Sequence, residues 1–221
     1  MSDEMATSAA AAEGEPSEPD KRMTFPNPML VVVSGPSGVG KSTIVAQLAA
    51  ARPQVVPIVT ATTRARRPGE IDKVHYHFME PAEFEELRSR DGLLESANVH
   101  GHWYGVPIEQ VRGILAAGRD AILTIDPQGA RSVRDKVPDA LLIFVMPPSL
   151  EDLAARLAER GSESAEQLAV RRRNAEIEMA ASGDYDYVIV NETGHPDAAA
   201  ERIWEIIQAE ARRDPPRRVQ V

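Results

Sequence analysis

The chain runs from an apolar stretch, Met29 to Val33, straight into Gly35-Pro36-Ser37-Gly38-Val39-Gly40-Lys41-Ser42, and then into Thr43 to Ala50, which has helical composition. Strand, glycine-rich loop and helix in that order make a phosphate-binding loop. Gly35, Gly38 and Gly40 allow the backbone to wrap an anion with its N–H groups, which add to the positive end of the following helix. In such a loop Lys41 reaches the β- and γ-phosphates, Ser42 offers its hydroxyl to Mg²⁺, and Thr43 helps order the turn. These residues predict a site for a nucleoside triphosphate.

The length of 221 residues and the 43% apolar content suit one domain with small insertions. A formal charge of −9 argues against non-specific binding to nucleic acid or to acidic membranes, so phosphate must be captured by local arginines. The chain has no cysteine, which rules out disulfides, zinc–thiolate sites and thiol nucleophiles and is compatible with a reducing compartment. No stretch approaches the ~20 apolar residues of a membrane span. The acidic start does not resemble a secretory signal, so a cytoplasmic location is expected.

Strand-like runs fall at 55–59, 121–125, 141–145 and 187–190, with helical patterns at 107–117, 149–160, 164–182 and 196–211. This alternation predicts an α/β fold with a parallel sheet flanked by helices. Residues 60–105 break the pattern and suggest a small β-rich insertion, with Phe78, Met79, Phe84 and Leu87 as its core. The polar residues 1–27 are expected to form a disordered acidic tail, and residues 212–221 a flexible basic one. His75 and His77 alternate around Tyr76, and His100 and His102 around Gly101; without cysteine or a spaced acidic motif they are ordinary strand or loop histidines and not a zinc site.

The insertion opens with Arg64, Arg66 and Arg67 in one loop, planar cations suited to phosphate oxygens. That loop, together with Tyr76, Glu95 and Trp103-Tyr104-Gly105, resembles the monophosphate subdomain of the guanylate kinase family. The resemblance covers about residues 29 to 210 and continues through 125–130, Pro147-Pro148-Ser149, 160–164 and Val188-Ile189-Val190-Asn191. It implies a P-loop NTPase-type fold with a GMP-binding insertion at 60–105, a helical lid at 155–173, and core segments at 28–59, 106–154 and 174–211 within a domain of 28–211.

Carried over residue by residue, the resemblance implies that Gly35, Pro36, Ser37, Gly38, Val39, Gly40, Lys41, Ser42 and Thr43 bind ATP, with Ser42 on Mg²⁺. It assigns the monophosphate to Arg64, Arg67, Tyr76 and Tyr104, and guanine to Glu95 and Thr60. It places Asp126 near the reacting phosphates, and Arg156, Arg160 and Arg171 in the lid as catalytic cations beside Lys41. Arg172 and Arg173 extend the last run. A carboxylate at Glu95 can accept both N1–H and N2–H of guanine, whereas adenine presents neither donor. On the sequence alone a helix-capping or turn role for Asp126, before Pro127, competes with the functional one, and Arg66 is either an auxiliary phosphate contact or a solvated charge.

Two positions depart from the family pattern. Val106 stands where a hydroxyl residue usually follows Tyr-Gly, and Thr124 stands where an acid usually precedes Asp126 by two residues. They leave open a kinase of the same fold that acts on another phosphorylated acceptor. A non-catalytic binding module is the other alternative, and the intact Lys41 and Ser42 count against it. The expected partners are ATP and GMP, with no nucleic acid and no membrane; monomer and homo-oligomer both remain open.

Overall fold

The computed structural model describes residues 27–99, 101–158 and 165–221, without the side chains of 165–169 and of Arg171. The sequence expectations for residues 1–26, His100, Arg160 and the turn at Gly161 lie outside the described residues.

The five buried residues of β1 (Leu30–Ser34) form the middle of a five-stranded sheet. Its order is β2 (Val55–Pro57), β7 (Asp120–Thr124), β1, β8 (Leu141–Met146) and β9 (Tyr187–Val190), and every pairing is parallel. Side chains alternate across β1. Val31 and Val33 enter one core with Ile44 and Leu48 of α1 (Lys41–Ala51) and Ile203 and Ile207 of α7 (Pro196–Ala211). Leu30 and Val32 enter the other, with Val111 of α3 (Ile108–Ala116) and Val133 of α4 (Pro127–Lys136). Because helices cover both faces, the central strands are continuously apolar, which is why the sequence shows runs there and not alternation. Pro57 ends β2 early and sits on an edge strand, where its missing N–H breaks no inner ladder.

A second, four-stranded sheet takes up the expected insertion at 60–105 and runs on to Pro107, with the order β4 (His77–Phe78), β3 (Ala61–Thr62), β6 (His102–Pro107) and β5 (Leu93–Val99). It also carries a helix absent from the sequence expectation, α2 (Pro81–Ser89), whose Phe84 packs with Leu93 and stacks on Trp103. The helix α4 had only its start signalled in the sequence, by the capping reading of Asp126. Both bury few apolar residues, so their periodicity is thin, but their starts were marked. Glu80 and Glu83 form a capping box ahead of Pro81, and Asp126 caps α4 ahead of Pro127. The remaining helices are α5 (Leu150–Ala158) and α6 (Ala165–Ala180), with a 3₁₀ turn at Ala181–Asp184 before β9. Among the described residues no helix is long and apolar enough to cross a membrane.

Residues 212–221 differ from the expected flexible tail. Val219 and Val221 pack against the α3/α4 core, and the Arg112 Nε–H donates to the Val221 oxygen at 2.9 Å. The Arg217 side chain, 7% exposed, lies 2.6 Å from Glu210 and 3.5 Å from Asp186 and also donates to the Ala140 carbonyl. Burial alone would raise the Glu210 pKa, but hydrogen bonds from Tyr187 and Arg217 hold it below its ordinary value. The sequence suggested fraying because it shows a run of charge; the acidic partners are Asp186, just before β9, and Glu210 of α7. Arg217→Ala leaves Glu210 on Tyr187 and Asp186 on Arg134 and the Leu142 N–H, so it removes charge-assisted hydrogen bonds without stranding either acid and is expected to lower unfolding stability by about 2 kcal/mol, measured by urea denaturation.

Lys73 is an exposed residue in the left-handed region at φ 62°, a conformation that costs a side-chain-bearing residue about 1 kcal/mol. Lys73→Gly is expected to raise stability slightly, by about 0.5 kcal/mol once the added freedom of the unfolded chain is included. A rise of a few degrees or less in melting temperature is the readout.

Candidate functional site

The phosphate loop leaves the C-terminal end of β1, between its neighbours β7 and β8, at the position where open α/β sheets form their ligand crevice. Gly35 has φ 142°, and a Cβ there would lie 2.2 Å from the Val145 carbonyl oxygen, so only glycine lets the loop pass this close to β8. Gly40, at φ 101°, caps α1 without a side-chain hydrogen bond, and the first turn of that helix has no acid. The free N–H groups and the helix dipole therefore point positive charge into the loop. Lys41 curls across it, donating from Nζ to the carbonyls of Gly35 at 2.6 Å and Pro36 at 3.1 Å. Burial pulls its pKa down to about 8, against the opposing charges of Glu178 and Asp126. Ser37, Ser42 and Thr43 are exposed, whereas Pro36 and Val39 are buried.

Two residues brace the loop from outside. Asn191, after β9, donates from Nδ2 to the Val39 carbonyl at 2.7 Å. Arg156, in the last turn of α5, donates to the same carbonyl at 3.2 Å, to the Asn191 carbonyl at 2.8 Å and to Thr193 Oγ1 at 2.9 Å. In this arrangement Arg156 holds protein oxygens, a different employment from the lid cation that the sequence led us to expect. Gly38 lies against Leu153 and Leu157, so α5 seats directly on the loop.

On the insertion side Arg64 forms a two-pronged pair with Glu70, at 2.6 and 3.1 Å, and lies over the rings of Tyr76 and Phe78. Its hydrogen bond pulls the Glu70 pKa down to about 2, helped by the Arg67 backbone N–H. Tyr76 and Tyr104 meet edge to face with centroids 6.0 Å apart, and Tyr104 lies close enough to Arg64 to favour its charge. Arg64, Tyr76 and Tyr104 thus converge. Arg66 and Arg67 are exposed, and Thr60 is half-buried where β3 begins, its carbonyl accepting from the His77 N–H. Glu70 closes the loop of Arg64, Arg66 and Arg67, and the sequence reading assigned it no role. The Glu-to-Arg spacing in a tight turn was the available signal.

Glu95, on β5, is only 8% exposed, and among the described residues no hydrogen bond reaches its carboxyl group. Burial raises its pKa to about 7; Asp126 adds to the rise and Lys136 opposes it. Gly129, in the first turn of α4, is the neighbour that makes room: a Cβ there would stand 3.3 Å from the Glu95 carboxyl. Asp126 accepts the Gly129 N–H at 2.8 Å, so it does cap α4, and it also lies within electrostatic reach of both Lys41 and Glu95. Capping therefore does not remove the Asp126 charge from the neighbourhood of Lys41 and Glu95. Ser42 and Asp126 are hard oxygen donors of the kind that suit Mg²⁺ carried largely by phosphate and water.

The family model described as guanylate kinase matches residues 27–210. The guanylate kinase of Thermobifida fusca is 49% identical over 75% of this chain and 85% of its own. That of Rhizobium johnstonii is 44% identical over 84% of each. The crystal structure of the guanylate kinase from Anaplasma phagocytophilum superposes with a TM-score of 0.68 at 33% identity, covering 85% of this chain and 88% of that one.

The chain belongs to the guanylate kinase family. It is a nucleoside monophosphate kinase, a phosphotransferase built on the P-loop fold, as the sequence led us to expect. Its two departures from the guanylate kinase pattern occupy different surroundings. Val106 is fully buried and packs with Leu30, Val32 and Leu94, so it belongs to the core shared by sheet and insertion. Thr124 is half-buried at the end of β7, two residues before Asp126. Arg171 lies on α6, but its side chain, like all of Arg160, is outside the described residues. Asn191, Thr193 and Glu178 have places at the loop that motif reading did not assign.

Proposed function

We propose that this chain transfers the γ-phosphoryl group of ATP to GMP, and also to dGMP, giving ADP and the guanosine diphosphate. The observation that carries the reading is the Glu95 carboxyl, on a residue only 8% exposed and without a hydrogen-bond partner among the described residues, across Asp126 from the phosphate loop. A guanine ring supplies the two adjacent donors that such a group lacks. Arg64, Arg67, Tyr76 and Tyr104 hold the monophosphate, Thr60 donates to guanine O6, and residues 35–43 hold the triphosphate.

The acceptor is already an anion, so the step needs no protein nucleophile. A GMP phosphate oxygen attacks the γ-phosphorus in line, the bond from that phosphorus to the β–γ bridging oxygen breaks, and ADP leaves with the electron pair. Lys41 and the lid arginines Arg156, Arg160 and Arg171 neutralise charge that develops on the phosphoryl oxygens, and the enclosing lid keeps water from taking the phosphoryl group. For Arg156 this role requires exchange of its present carbonyl partners for phosphate. Mg²⁺ held by Ser42, with Asp126 nearby, supplies further charge neutralisation when bound.

A second reading, phosphoryl transfer to a different phosphorylated acceptor, is favoured by the missing hydroxyl at Val106 and the missing acid at Thr124. ADP formation measured in parallel with GMP, dGMP, AMP, CMP, UMP and no acceptor separates the two. Turnover confined to guanine nucleotides supports the first reading. Turnover with none of them, while ATP still binds, supports the second.

A further inference from the structure

The phosphate loop already holds one anion of the protein's own. Glu178, near the C-terminal end of α6, accepts the Ser37 N–H on Oε2 at 3.2 Å. Among the described residues it is the only side chain that accepts from an N–H of the loop. Asn191 and Arg156 grip the loop through the Val39 carbonyl, an oxygen that no phosphate competes for. Glu178 takes a donor of the type phosphate oxygens use.

The contact is anchored. Ala175 lies one turn before Glu178 on the same helix face and is 3% exposed in the core, whereas Ile177 and Val170 are 65% and 60% exposed. Burial raises the Glu178 pKa and Asp126 adds to the rise, while the Ser37 N–H and the Lys41 ammonium, the cation that faces it from the loop side, favour the ionised form. A carboxylate on a backbone N–H makes a charge-assisted hydrogen bond, stronger than a neutral one, and is the nearest protein counterpart of a phosphate oxygen.

We propose that Glu178 is a positioning residue that stands in for phosphate: without nucleotide it occupies the Ser37 N–H and pins the C-terminal half of α6 to the loop, and the triphosphate displaces it. The inference rests on the reading of residues 35–43 as the triphosphate site. Its consequence is a link between loop and lid, because the helix released by nucleotide also carries Arg171, Arg172 and Arg173 near its middle. Binding energy from the triphosphate is partly spent in expelling the carboxylate, so nucleotide affinity is set below what the loop alone offers.

The test uses the full chain with inorganic tripolyphosphate and with ATP, titrated calorimetrically in the presence of a chelator, alongside amide hydrogen exchange at Ser37 without ligand. Glu178→Ala is expected to bind both ligands about tenfold more tightly, and Glu178→Gln, which keeps a weaker neutral acceptor, about threefold. Ser37 exchange should quicken in the same order. A merely structural role would loosen α6 and weaken binding, so the direction of the change discriminates. Unchanged or weaker binding in Glu178→Gln, while Lys41→Ala loses tripolyphosphate binding, overturns the proposal and leaves the triphosphate site standing. Equal binding by wild type and Lys41→Ala overturns the triphosphate site and the proposal with it. If Glu178→Ala does not fold, the Glu178→Gln affinity and Ser37 exchange decide alone.

Discussion

Lys41→Ala should lower ADP formation with ATP and GMP by roughly 10³-fold, the loss expected when one preorganised charge is removed from the path of a transferring phosphoryl group. The fold should persist. Lys41 is an ammonium whose burial lowers its pKa to about 8, held by the carbonyls of Gly35 and Pro36. Its removal relieves a desolvated charge while leaving the loop braced by Asn191 and Arg156. Near-wild-type melting with near-zero turnover in a coupled ADP assay is the expected pair of results. Retained turnover would place the triphosphate elsewhere.

Glu95→Gln should lower kcat/KM for GMP by about 10²- to 10³-fold while ATP affinity stays within twofold, because an amide turns one donor toward the guanine N1–H in place of an acceptor. The pH dependence carries a second signature. Burial, then Asp126, raises the Glu95 pKa to about 7, so below that pH the empty site holds the neutral acid. Guanine needs the carboxylate, hence GMP binding releases a proton there, and KM for GMP should rise by up to about tenfold per pH unit as pH falls below 7. The stability effect has the opposite dependence. The folded protein holds this proton more tightly than the unfolded chain, so the contribution is fully present below the ordinary carboxylate pKa and is lost as pH rises toward 7. Glu95→Gln should therefore raise the melting temperature at pH 8 and leave it unchanged at pH 4. A GMP KM that is flat from pH 8 to 6 would remove Glu95 from base recognition.

Much of the fold was legible because its signals are local. The loop Gly35 to Ser42 is an uninterrupted segment whose backbone geometry follows from its glycines, and β1, β7 and β8 are buried on both faces, which forces continuous apolar runs. Helices α2 and α4 show no periodic pattern because each buries one to three residues, too few to rise above the background; the start of α4 was legible at Asp126-Pro127, and that of α2 was written, unread, in Glu80-Pro81.

The candidate site divides along the same line. The glycine-rich loop by itself marked Lys41, whereas Arg64, Tyr76, Glu95 and Asp126 were marked through the resemblance to the guanylate kinase family, with residue chemistry that suits phosphate and guanine. What those groups do to one another was decided by packing. Glu95 acquires a pKa near neutrality only because β5 buries it beside Asp126 at the start of α4. Arg156 braces Val39 across 117 positions of the chain, and Glu178 reaches Ser37 across 141. Arg217 finds Glu210 and Asp186 where composition suggested only a solvated tail. The sequence by itself determined the identity of the phosphate loop and the parallel α/β order, because short-range backbone geometry and hydrophobic runs depend on neighbours in the chain. Tertiary structure alone decided which charges are desolvated and which are paired, because burial and Coulomb interaction depend on distance in space, and that distance is set only when the helices close over the sheet.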